Sequence, residues 1–293
     1  MRGVAVLLLL AACYRDVRDV ELERRLARIE QRLDAHDKAL AAARARADTT
    51  ELTVLAQRLT ELQQTLAQLS AAIPPIAPTR RVADKTATYA MPLGSAPQLG
   101  PANAKVTLVM AIEFDCPFCR KAWDTIDELR KRYGKDLRVV YRAYVVHAKT
   151  ATYAAHAACA ANKQGRWRAL AELIWAKAFD VRSAVPDAFA PINIDALAKQ
   201  AGLEMSKYAA DVAGPCPAEV AADIAELTKF GVHATPTFFI NGRYMDGAKP
   251  LGDFVKLVDE ELAKANAAIK RGVKPERYYE QEVLAKGLHE AGP

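Results

Sequence analysis

The chain has 293 residues, of which 51% are apolar and 26% charged, with a formal charge of +6. That length covers one good-sized domain with additions or two small ones, and so large an apolar share excludes disorder as the default state. The positive balance does not mark a nucleic-acid binder, because lysines and arginines alternate with acids and no basic run is interleaved with aromatics.

The first twelve residues, MRGVAVLLLLAA, run from one arginine through an apolar stretch to small residues. A membrane-spanning helix needs roughly 20 apolar residues, so residues 1–12 have instead the shape of a secretory signal. The run ends in Leu10-Ala11-Ala12-Cys13, which resembles a bacterial lipoprotein signal. That resemblance implies Cys13 as a lipidation site, leaving the chain lipid-anchored on the periplasmic side of a cell-envelope membrane. The alternative is an ordinary cleaved signal with Cys13 beside the cut by chance. Disulfides persist outside the cytoplasm, so Cys116, Cys119, Cys159 and Cys216 are read as redox-capable or paired.

Residues 13–71 read as a coiled-coil segment. From Asp16 to Leu69 there is no proline or glycine, and apolar residues recur at alternating spacings of three and four. One seam holds Leu22, Leu26, Ile29, Leu33 and Leu40, with His36 on the same stripe; the other holds Leu52, Leu55, Leu59, Leu62, Leu66 and Leu69. Seams this narrow need a partner helix, so a homo-oligomer through residues 16–70 is expected, against the plainer alternative of an amphipathic helix lying on its own domain. The seams are out of phase, and Asp48 and Glu51 between them have capping-box spacing. Either one helix shifts register there or two form a hairpin. Pro74, Pro75 and Pro78 then end the helical pattern, making residues 72–85 a semi-rigid linker.

A globular domain is expected over residues 86–293. Strands are predicted at Thr86–Leu93, at Lys105–Phe114, which is apolar on both faces and hence central, and at Asp136–Tyr144. An amphipathic helix runs from the Cys116 pair to Tyr133-Gly134. Residues 148–230 read as several alanine-rich helices broken at Gly165, Pro186, Pro191, Gly202, Gly214 and Pro215. The stretch TPTFFINGRYMDG carries Asn241-Gly242 between apolar runs, a strong hairpin signal, and a helix over about 250–268 and a short helical tail follow. The order implies an α/β fold whose mixed sheet has helices on both faces.

The chemistry centres on Cys116-Pro117-Phe118-Cys119. A cysteine at a helix start faces free backbone N–H groups and the positive end of the helix dipole, both of which favour the reactive thiolate. Pro117 suits the first helical position, where its missing N–H costs no bond. Cys119, one turn on, can attack a mixed disulfide at Cys116, which assigns Cys116 as the exposed nucleophile and Cys119 as the buried resolving thiol. A zinc site would need two more ligands at short spacing, and His147 and His233 stand distant and unpaired, so no metal is expected. A purely structural bridge between cysteines three apart would close too small a loop to stabilise much.

Strand, CPFC at a helix start, helical block, CAANKQG (Cys159–Gly165), GVHATPTFFINGR and DGAKP together resemble a DsbA-family thiol–disulfide oxidoreductase: a thioredoxin-like fold with an inserted helical subdomain, here preceded by an N-terminal coiled-coil helix. The resemblance implies a cis Thr235-Pro236 bond facing the cysteines, with the Thr235 backbone pairing an extended substrate by strand addition. It implies exported cysteine-containing proteins as substrates, a membrane redox partner and no cofactor. The chain departs from the family at Met110, where many relatives carry an acid, and at Phe118, where no histidine supports the thiolate; a milder lowering of the Cys116 pKa follows. Glu113 could replace the missing acid or be a surface acid at a strand end. His233 could partly replace the histidine or be a plain loop residue. Cys159 and Cys216 both fall in the insertion, and a structural disulfide between them is the simplest account in an oxidising compartment. Whether the pair acts as an oxidase or as an isomerase or reductase stays open: among related proteins, N-terminal oligomerisation and threonine before the proline go with isomerases. The contrasting class is a membrane-tethered coiled-coil scaffold whose thioredoxin-like domain only binds partners.

Overall fold

The computed structural model describes residue 27, residues 29–39, residue 54, residues 56–64 and residues 81–292. The chain divides into two units, Met1–Thr79 and Arg80–Pro293. In the first unit every described residue is helical. Ile29, Leu33 and Leu62 of the expected seams are exposed there, and Leu59 is half-buried. The signal segment, Cys13, the prolines at 74, 75 and 78, and the seam positions Leu22, Leu26, Leu40, Leu52, Leu55, Leu66 and Leu69 lie outside the described residues.

The second unit is built on a five-stranded sheet with β1 at Gln98–Leu99, β2 at Val106–Ile112, β3 at Leu137–Ala143, β4 at Thr237–Ile240 and β5 at Arg243–Asp246, in the order β1-β3-β2-β4-β5. The central strand β2, with β3 parallel on one side and β4 antiparallel on the other, is buried at every position because its alternate residues enter cores on both faces, Leu108 and Met110 in one and Val109 and Ala111 in the other. The parallel pair needs a crossover, which α1 (Pro117–Tyr133) supplies. Cys119, Ala122, Trp123, Ile126 and Leu129 of α1 are buried, the three-and-four spacing of a helix with one face on the sheet.

Between β3 and β4 lies a helical block: α2 (Ala148–Lys163), α3 (Trp167–Ile174) running into a π-helical turn at Trp175–Phe179, α4 (Pro191–Gln200), α5 (Met205–Ala213) and α6 (Pro215–Lys229). Two devices hold it together. A disulfide joins Cys159 of α2 to Cys216 of α6, with Cα atoms 5.7 Å apart. The hydroxyls of Tyr153 and Tyr208 both donate to Asp195 Oδ1 at 2.7 Å, drawing α2, α5 and α4 onto one carboxylate. Rings of Trp123, Tyr141, Trp167 and Trp175 weld the block to α1 and β3, with the Tyr141 and Trp167 centroids 4.4 Å apart.

The hairpin forms as its sequence requires. Asn241 and Gly242 both have positive φ, 43° and 81°, the backbone of a tight hairpin turn. A Cβ at Gly242 would lie 2.3 Å from the Tyr89 carbonyl oxygen, so only glycine fits. The Asn241 side chain accepts from Thr107 N–H (2.8 Å) and donates to Lys105 O (3.0 Å), pinning the turn to β2. Helix α7 (Leu251–Lys270) packs on α1 and the sheet, and the tail ends in helical turns at Pro275–Arg277 and Tyr279–Leu284.

Two expectations need correction. Thr86–Leu93 is not a ladder strand: Tyr89 N–H donates to Gly242 O, while Ala90 N–H donates to Leu288 O and Leu288 N–H to Thr88 O. Its backbone bonds are split between the hairpin turn and the tail, so only isolated bridges form. The short strand at Gln98–Leu99 takes the edge beside β3 instead. Packing also begins before residue 86, since Val82 pairs with Gly292 and Ala83 is buried.

Candidate active site

β2 ends at Ile112, and the chain turns through Glu113-Phe114-Asp115 into Cys116, the N-cap of α1, with Pro117 in the first turn. The Cys116 backbone is extended (φ −93°, ψ 118°), which aims its sulfur along the helix start, where Sγ accepts the Cys119 N–H at 3.3 Å. Cys116 and Cys119 are both free thiols. On the other side the Thr235-Pro236 bond is cis, and the Cys116 thiol donates to the Thr235 carbonyl at 3.3 Å. Residues 119 positions apart in sequence thus meet at one sulfur.

The pair is electrically asymmetric. The Cys116 pKa is lowered to about 6, chiefly by the Cys119 side chain, which hydrogen-bonds its sulfur, and further by the Thr235 hydroxyl and the Cys119 and Phe118 amides, against the opposing effect of burial. Cys119 is pushed well above the ordinary thiol value, first by burial and then by the hydrogen bond and charge of Cys116. The lowered pKa favours the Cys116 thiolate, whereas Cys119 favours its protonated form, an asymmetry suited to thiol–disulfide exchange.

The expectation of an exposed Cys116 is corrected: it is only 3% accessible, against 0% for Cys119. The Thr235-Pro236 segment on one side and the first turn of α1 on the other leave a narrow approach to the sulfur, and Phe118, 61% exposed, stands beside it.

Glu113 is no surface acid. It is buried, and its carboxylate accepts N–H bonds from Val146 and from His147 (2.8 Å) and contacts His147 Nδ1. His147, read from sequence as unpaired, is thereby a partner of Glu113, which raises its pKa; the Cys116 charge adds to that effect. Next to Cys116, Asp115 is held by the Thr150 hydroxyl and by Arg182 Nε at 3.6 Å. Glu113 and Asp115 therefore clamp the start of α2 to the active-site turn. Sequence reasoning missed Asp115, Thr150 and Arg182, whose only signal was an acid adjoining Cys116. His233 is exposed and its ring bonds Gly231 O (2.8 Å) within its own loop, while Met110 is fully buried in β2. Among the described residues, no group of three or more His, Cys, Asp or Glu side chains is placed to hold a metal ion.

Residues 94–260 match the family model described as thioredoxin. The chain belongs to the thioredoxin family. Among curated proteins it is similar to a Na(+)/H(+) antiporter NhaA of Herminiimonas arsenicoxydans, 33% identical over 150 residues, which is 51% of this chain and 23% of that protein. The chain thus spans about a quarter of the length of the curated relatives it matches. Among solved structures, a thioredoxin-like oxidoreductase from Silicibacter pomeroyi DSS-3 is 26% identical with a TM-score of 0.50, covering 57% of this chain and 92% of that one. Wolbachia pipientis alpha-DsbA1, at 17% identity and a TM-score of 0.53 over 61% of this chain and 96% of its own, shares the fold.

Proposed function

We propose that the protein is an extracytoplasmic thiol–disulfide oxidoreductase working through Cys116 and Cys119. The observation that carries this is the Cys116 sulfur, its pKa lowered to about 6 at a helix start opposite Thr235, with a proton-retaining Cys119 one turn away. When the oxidised pair acts, a substrate thiolate attacks Cys116 Sγ, breaks the Cys116–Cys119 bond and releases Cys119 as a thiolate that takes up a proton. A second substrate thiolate then attacks the substrate sulfur of the mixed disulfide, expelling the well-stabilised Cys116 thiolate. The substrate is oxidised by two electrons and the pair is reduced. The reverse sequence, begun by Cys116 attacking a substrate disulfide, reduces or reshuffles it. The direction follows from the couple's potential against its redox partner.

Exported proteins with cysteines are the proposed substrates, met in extended form beside Thr235, and a membrane protein is the proposed recycling partner. Pro117, Phe118, Glu113 and His233 are the proposed tuning positions. Lipidation at Cys13 and oligomerisation through residues 16–70 complete the proposal; the exposed Ile29, Leu33 and Leu62 among the first unit's helical residues support the oligomerisation. Ion transport, the activity named for the curated relatives, is not proposed for this chain; no helix among the described residues is long and apolar enough to cross a membrane.

Replacing the resolving thiol, Cys119→Ala, tests the proposal: the variant is expected to accumulate mixed disulfides at Cys116 with exported proteins. If none is trapped and the wild type does not exchange with a model dithiol, the exchange reading fails and a partner-binding module takes its place. The direction is read from the in-cell state of Cys116, oxidised for an oxidase and reduced for an isomerase or reductase.

A further inference from the structure

A cavity of about 670 Å³ opens beside the nucleophile, within the size range of roughly 300–1,000 Å³ usual for ligand sites. Its wall includes Asp115, the residue before Cys116, together with Lys149 and His156 of α2 and Arg182, Asp187 and Phe189 of the segment leading to α4. Asp115 joins this wall to Cys116, the next residue along the chain.

Asp115 is already engaged by Thr150 and Arg182. Lys149 is the second residue of α2, where the positive end of the helix dipole disfavours a cation, and its ammonium has no hydrogen bond or ion pair among the described residues. His156, two turns further along α2, is half-buried with no hydrogen-bond partner among the described residues, and burial lowers its pKa, so at neutral pH it offers one N–H and one lone pair. Asp187, the other acid on the wall, is held through its backbone carbonyl by Ala190 N–H and the Asn193 side chain, and its carboxylate forms no ion pair with Lys149. Lys149 is thus an exposed cation without an ion pair among the described residues, set against its own helix dipole on the wall of a cavity that Asp115 shares, and its ammonium is free to meet an anionic group.

We infer that this cavity is a specificity subsite of the exchange reaction, taking an acidic side chain within a residue or two of the substrate cysteine, with Lys149 as its charge partner. The inference rests on the proposed exchange activity.

The test uses the full chain and disulfide-linked model peptides in which the residue beside the cysteine is Glu, Gln or Lys. Because Lys149 is exposed, the expected preference in kcat/KM for Glu over Gln is roughly two- to five-fold at low salt, and it shrinks as ionic strength rises. Lys149→Glu is expected to invert the order of the Glu and Lys peptides, and Lys149→Gln to bring their ratio to about one. Equal rates for the three peptides in the wild type, or a preference that survives Lys149→Glu in a variant whose Tm is unchanged, overturns the subsite while leaving the exchange reading intact. Absence of exchange with every peptide overturns both.

Discussion

Thr235→Val removes one hydroxyl from the active site and little else, since valine nearly matches threonine in shape and the backbone carbonyl facing Cys116 stays. The Thr235 hydroxyl is one of the donors that hold the Cys116 pKa at about 6. A hydrogen bond to a charged group contributes about 1.5–3 kcal/mol, or roughly one to two pKa units. Since the Cys119 side chain has the larger effect, the lower end applies and the Cys116 pKa should rise to about 7. The thiolate fraction at pH 7 then falls from roughly 90% to roughly 50%. The same shift acts on redox poise, because the disulfide does not titrate and only the reduced form gains from the thiolate. For a lowered pKa this gain is complete above the unfolded thiol value and is lost as pH falls through about 6. At pH 7 the gain drops from about 1.4 to about 0.4 kcal/mol, which for a two-electron couple makes the variant less oxidising by about 20 mV. The pKa is read from the pH dependence of alkylation or of thiolate absorbance, and the potential from equilibrium with a glutathione buffer. An unchanged Cys116 pKa, or a potential that rises, refutes the assignment of Thr235 as a donor to the nucleophile.

The stronger donor gives the larger shift: Cys119→Ala should raise the Cys116 pKa by about one to two units, whereas Cys119→Ser, which keeps a hydroxyl donor, should raise it less; alkylation profiles of the two variants check the order. Glu113→Ala strips acceptors from the Val146 and His147 amides and should cost about 1–3 kcal/mol in chemical denaturation, discounted because both residues are partly exposed. The His147 pKa is raised in the fold, so the Glu113–His147 pair contributes fully below the ordinary histidine value and loses that contribution as pH rises through the folded one. The gap between wild type and Glu113→Ala should therefore narrow as pH rises above the ordinary histidine value of about 6.5. Removing the disulfide as Cys159→Ala with Cys216→Ala frees a connection spanning 57 residues, a loss of about 4 kcal/mol on the chain-entropy account, measurable as a lower denaturation midpoint. A chain starting at Arg81 should be monomeric by light scattering while the chain from Tyr14 is oligomeric; equal assembly numbers would remove the coiled coil from the proposal.

Local patterns carried much of the fold. Short apolar runs marked β2 and β3, and Asn241-Gly242 marked the hairpin, because each depends on its own few residues and on backbone rules that hold everywhere. Thr86–Leu93 has the same local look and still forms no ladder, since a ladder depends on which neighbour offers its N–H and C=O groups. Those of Thr88, Tyr89 and Ala90 go to the hairpin turn and the tail. Glu113 illustrates the same limit at the site: an acid at a strand end has an exposed default, and only the amides of Val146 and His147, arriving from 33 and 34 residues away, make burial favourable.

The sequence by itself determined that a thiol pair sits at a helix start, because CPFC after an apolar strand and before an amphipathic stretch is short-range information. Which residues meet the pair was legible only through the family resemblance carried by CPFC and GVHATP, and the sheet makes the meeting possible by setting β4 beside β2. Tertiary structure alone decided how reactive the pair is. The thiolate is stabilised by donors from both Cys119 and Thr235, and the same closeness to Thr235 leaves Cys116 only 3% accessible. Hydrogen bonding and desolvation act over a few ångströms of space, and no spacing along the chain encodes that distance.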